Sequence, residues 1–142
     1  MKSLTAFAAT LTLFASLSQA AEIQLDPNLT LLSHNGEAHT QYGGQLELAP
    51  GKQVLELRYE TIFQLSAEDH ETVRSPEFYL VFDASNEGQY QLSWPEVNSL
   101  TDAKKRAATP EMTLTNAEGE AINFELQSHD QLIYQLLLSQ AR

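Results

Sequence analysis

Two imidazoles and a carboxylate, His34, Glu37 and His39, flank the dipeptide Asn35-Gly36. If that dipeptide forms a two-residue hairpin turn, His34 pairs with Glu37, and the period-two geometry of a strand brings His39 to the same face. Nitrogen and oxygen donors gathered on one face are the raw material of a divalent-metal site. No further groups stand ready in the sequence to orient the rings, so turn histidines in solvent are the simpler reading and no cofactor is expected.

A second set of chemical groups is the acid-base-acid series Glu56, Arg58 and Glu60, on alternate positions of "LELRYETIFQL". Alternation puts all three on the outer face of a strand, either as a partner-binding strip or as a solvated face of compensating charges. Catalytic arrangements are harder to find. Ser66, Ser75 and Ser93 have neither a Gly-x-Ser-x-Gly context nor an evident base, and acid pairs such as Glu68-Asp69 fall in polar connections. Gly43-Gly44 is not followed by the Lys-Ser/Thr of a phosphate loop. The reading is therefore non-enzymatic. Lys104-Lys105-Arg106 gathers three cations late in a short helix, where they complement its dipole or meet an acidic partner.

The elements that must carry these groups are mostly strands. Leu55, Leu57, Tyr59, Thr61, Phe63 and Leu65 alternate toward a core. Pro50-Gly51 suits a turn that would set Leu46 opposite Leu55. "EFYLVFDA" from Glu77 reads as a buried strand whose flanking Pro76, Glu77 and Asp83 act as gatekeepers. A strand with Tyr90, Leu92 and Trp94 ends at Pro95, and Trp94, beside that end, is the aromatic expected to be exposed. "SAEDHETVRSP" reads as a polar connection. Ser99 caps a short helix that stops at Thr109-Pro110, and a hairpin through Glu118-Gly119 follows. The C-terminal "SHDQLIYQLLLSQAR" opens as a helix at Ser128, with Gln131 in the capping-box position, or forms a buried strand; either way it is expected to pack on the domain, with docking to a partner as the alternative. The sum is a mainly β, antiparallel, sandwich-like single domain with one or two short helices.

Bulk properties narrow the setting. Met1-Lys2, an apolar stretch from Leu4 to Leu17 and the small-x-small triplet Ser18-Gln19-Ala20 read as a secretory signal, cleaved after residue 20 to leave one domain over 21–142. A single-pass anchor is the competing reading, but the stretch is short and diluted by Thr and Ser. No later apolar run is long enough to span a bilayer. There is no cysteine, hence no disulfide framework and no thiolate chemistry. Nineteen acids against eight cations, a net charge of −11, repel nucleic acid and anionic lipid. The expected compartment is the Gram-negative periplasm.

At "LELAPGKQVLELRYETIF", "VRSPEFYLVF", "YQLSWPEV" and "AKKRAATPEMTL" the chain resembles a family of Gram-negative periplasmic proteins of unknown function that includes an inhibitor of curli assembly. The shared pattern runs through Arg58-Tyr59-Glu60, the Ser75-Pro76 step, Phe82 and Pro110. The resemblance implies a secreted fibre subunit or another envelope protein as partner; strand alternation and strand-end position make Glu56, Arg58, Glu60 and Trp94 the candidate contact residues. A second expectation, of a different class, is a module that binds envelope glycans through Trp94 and nearby aromatics.

Overall fold

The computed structural model describes residues 20–141. The expected signal segment lies almost wholly outside them. Strands β1 (Ala21–His34) and β2 (Glu37–Leu48) form the first hairpin, and Asn35 and Gly36 adopt φ of 50° and 85°, the positive values a two-residue turn demands. His34 lies opposite Glu37, as the sequence predicts.

The remaining elements are β3 (Gly51–Gln64), β4 (His70–Arg74), β5 (Phe78–Ala84), β6 (Gln89–Ser93), α1 (Leu100–Ala108), β7 (Thr113–Asn116), β8 (Glu125–Ser128) and α2 (His129–Gln140). The sheet runs β7-β6-β1-β3-β5-β8, with β2 on β1 and β4 on β3. Six of the seven strand pairings are antiparallel; β1 and β6 run parallel.

β1 makes the architecture. Its first half, Glu22 to Leu25, pairs with β6, and its second half, Leu29 to His34, pairs with β3. Between them, at Asp26-Pro27-Asn28, the ladder with β2 is interrupted. The Asp26 carboxylate holds this bend by accepting from the Asn28 amide at 3.0 Å and from the Trp94 amide at 3.0 Å. The bend must be large. Leu48 lies opposite Ala21 at one end of β1, yet Gln53 donates to the Ala49 carbonyl (2.6 Å) and meets His34 (2.8 Å) at the other end. An extended strand of that length would separate its ends by roughly 45 Å, so the sheet curls back on itself and encloses the side chains of one face. Ile23, Leu25, Leu29, Leu31, Leu55, Leu57, Tyr59, Leu80 and Leu92 are buried in that enclosure. The result is the sandwich-like β domain expected, reached by folding one sheet.

Three expectations are corrected. Leu46 does not face Leu55: β2 and β3 share no register, because β1 lies between them and pairs with both. The polar connection after Leu65 contains β4, an edge strand whose Val73 is buried against Ala103 and Ala107 of α1. Beyond Tyr59 the alternating face of β3 emerges from the core, since only β4 remains beside it, and Leu65 is exposed.

Candidate functional site

Arg58-Tyr59-Glu60 and Ser75-Pro76 meet where β4 passes into β5. Both strands pair with β3, but the register slips by one residue between Glu60↔Arg74 and Leu57↔Phe78. Ser75 fills the slip. Its amide donates to the Tyr59 carbonyl (2.9 Å), its hydroxyl accepts from the Tyr59 amide (2.9 Å) and donates to the Pro76 carbonyl (2.8 Å), and the residue is buried. A hydroxyl can both donate and accept, which a bulge with unpaired backbone groups requires.

Directly over this bulge, the Tyr59 ring stacks on Trp94 with centroids 4.1 Å apart and planes 9° apart, and Phe78 lies 6.3 Å from the same indole. Burial pushes the Tyr59 phenol up, with a smaller contribution from the Asp26 and Asp102 carboxylates. Trp94 is therefore core: it is 6% exposed, and its expected exposure is overturned. Tyr59 and Phe78 cover the ring, so this indole offers no platform to a glycan. Phe82 is likewise buried, edge-on to Tyr90 at 5.3 Å, while Pro110 follows the Thr109 cap of α1.

The outer face carries the charged series. Glu56 accepts from Ser33 (2.7 Å), Arg58 approaches Glu77 (3.9 Å), and Glu60 accepts from Arg74 (2.6 Å). The Arg74 guanidinium holds the Glu60 carboxyl below its usual range. Each member of the strip is thus half-covered and already engaged within the sheet. Lys104 is bound to Glu71 (2.6 Å) and Arg106 to Asp102 (3.3 Å), so the helical cations are largely compensated too. The structure does not assemble the histidine trio. The His34 ring turns to Gln53 and Asn35, the His39 ring to Gln41 (3.1 Å), and no group of three metal-ligating side chains exists among the described residues.

Two surface features were missed by the sequence reading. β2 pairs with β1 alone, so its other edge is open. From Gly43 onward that edge is partly closed by the Gln41 amide, which donates to the carbonyls of Gly43 (2.8 Å) and Gln45 (2.9 Å). From Glu37 to Thr40 no such plug exists among the described contacts. The segment ends at Tyr42, 81% exposed, beside exposed Ile62, and both border a depression of about 340 Å³ with Pro27, Thr30, Glu60 and Thr61. Ile62 interrupts the otherwise polar outer side of β3, between Glu60 and Gln64. The second feature is α2, on which no residue is buried.

A family model described as an uncharacterized protein conserved in bacteria (DUF2057) matches residues 22–139. The chain belongs to this family. DUF2057 relatives include a UPF0319 protein of Shewanella oneidensis, 27% identical over 132 residues that cover 89% of this chain and 58% of that protein. A UPF0319 protein of Vibrio vulnificus is 31% identical over 122 residues, covering 82% of this chain and 61% of the relative. The chain thus spans less than two thirds of the length of these curated relatives. No solved structure matches it. The family is uncharacterised, and its description names no enzymatic activity, fibre or partner.

Proposed function

We propose that this DUF2057 domain is a non-enzymatic, exported binding domain that captures extended segments of secreted subunits, curli-like fibre subunits among them, and delays their assembly. The observation that carries this reading is the open edge of β2 from Glu37 to Thr40, which ends at the exposed Tyr42–Ile62 pair. Unpaired strand backbone supplies hydrogen bonds to an added strand, and a neighbouring apolar pair supplies side-chain anchorage. The acidic strip of Glu56, Arg58 and Glu60 takes a secondary place, because Ser33, Glu77 and Arg74 of the same sheet region already engage its members. High negative charge favours a soluble complex. The same edge, placed in the periplasm by the expected signal, would meet subunits before they assemble.

The test is thioflavin-monitored fibre formation by a purified curli-type subunit, with the exported protein added well below equimolar amounts. Thr40→Pro falls in the part of β2 outside its register with β1, so it removes a backbone donor and blocks strand addition without breaking that pairing. A delay lost in Thr40→Pro and in Tyr42→Asp, but kept in Glu56→Ala, is the expected result. A delay kept in both edge variants would overturn the edge as the site. No delay at any ratio would overturn the fibre role.

A further inference from the structure

α2 presents an unusual surface. Its start is fully specified: Ser128 accepts from the Gln131 amide (3.2 Å) and the Gln131 side chain accepts from the Ser128 amide (2.9 Å), a complete capping box. Its flanks are not. Ile133, Tyr134, Leu136, Leu137 and Leu138 are each between 43% and 63% exposed. At 100° per residue these side chains surround the helix, and a helix apolar all round is normally covered on more than one side. At 1.5 Å per residue it is about 18 Å long, short of the roughly 30 Å of bilayer hydrocarbon. A lipid-surface helix would carry Lys or Arg on its polar face, whereas α2 carries none.

The strand that leads into α2 is also unfinished. β8 is the last strand of the sheet, paired with β5 on one side and open on the other. Between β8 and α2 lies a depression of about 500 Å³, lined by Glu125, Leu126, Gln127, Gln131, Tyr134 and Gln135. Open backbone and uncovered apolar side chains therefore meet at one corner. Charge indicates what can cover it. The whole chain carries −11, so two copies repel over most of their surfaces, but the run from Gln131 to Ala141 contains no charged residue. Asp130 in the first turn of α2 and Glu125 on β8 flank the corner, but beyond them a like-charged copy can approach along α2 without opposing carboxylates.

We propose that the β8–α2 corner is a homodimer interface, with β8 antiparallel to β8 of a second copy and the apolar side chains of α2 closing over the joint. An isologous contact requires a self-complementary patch. An antiparallel β8 pair centred between Leu126 and Gln127 meets that requirement, setting Glu125 opposite Ser128 of the second copy instead of opposite another carboxylate.

Sedimentation equilibrium on the exported protein over a wide concentration series tests this. A mass that rises to twice that of one chain is expected, with Leu137→Asp and Tyr134→Lys each weakening the association by about tenfold or more. Because α2 buries no residue, both variants should retain the circular dichroism of the β domain, which separates loss of contact from loss of fold. Thr40→Pro on the distant β2 edge should dimerise normally. A monomer at every concentration overturns the proposal, and so does a dimer that survives both α2 variants or is lost in Thr40→Pro. Fibre delay by a protein that stays monomeric would overturn this interface while leaving the proposed function standing.

Discussion

At the scale of single residues, Ser75 and Glu60 make opposite kinds of contribution. Ser75→Ala leaves the buried Tyr59 amide without its hydroxyl acceptor and frees the Pro76 carbonyl. An orphaned buried donor costs about 1–3 kcal/mol, so urea denaturation of Ser75→Ala should show a loss in that range, with Ser75→Thr recovering part of it. Glu60 instead lies on the surface, and Arg74 lowers its pKa in the folded state. A lowered folded pKa means stability that is present above the unfolded carboxylate range and lost as pH falls through the folded pKa. Glu60→Gln should therefore lower the melting temperature slightly at neutral pH. The gap between the two proteins should close in acid; a constant gap from pH 7 to pH 3 would show that the ion pair contributes nothing through its charge.

At the scale of elements, the decisive piece is the bend of the β1–β2 hairpin. Gly43 enables it. Its φ is +58°, and a Cβ there would lie 3.0 Å from the Pro27 backbone, so both conformation and space exclude a side chain. Gly43→Ala should cost more than the roughly 1 kcal/mol usual for an alanine forced into this region, read as a lower urea midpoint; Gly36→Ala, with open space around it, should cost less. How much of this was legible follows from range. Asn35-Gly36, the Ser99 cap and the Ser128–Gln131 box act on neighbours in sequence, and each was readable from residue types alone. The alternation of Leu55, Leu57 and Tyr59 revealed a buried face for the same reason. What local pattern could not convey was which strand pairs with which. Pro50-Gly51 looked like a hairpin turn, but β1 pairs with both neighbours and separates Leu46 from Leu55. Trp94 looked like a strand-end aromatic, but its cover, Tyr59 and Phe78, comes from distant segments. The β2 edge and the bare α2 were equally invisible, since an edge is defined by a strand that is not there.

At the scale of the whole molecule, the charge of −11 acts on both proposed contacts, and with opposite signs. Two copies meeting at β8 and α2 bring together like charges that lie outside the joint. At 0.1 M salt these are felt over about 10 Å. Added sodium chloride should therefore tighten the dimer, because it screens the repulsion while leaving the burial of Ile133, Leu137 and their neighbours intact. The β2 edge, in contrast, is bordered by Glu37 and Glu60. A cationic extended peptide added there is drawn in by those carboxylates, and salt should loosen it. Binding curves for dimer and for a Lys-containing β-prone peptide, measured across the same salt series, should slope in opposite directions. Parallel slopes would show that charge does not act on the two contacts with opposite signs, and the assignment of an acidic border to the edge and an uncharged joint to the helix would fall.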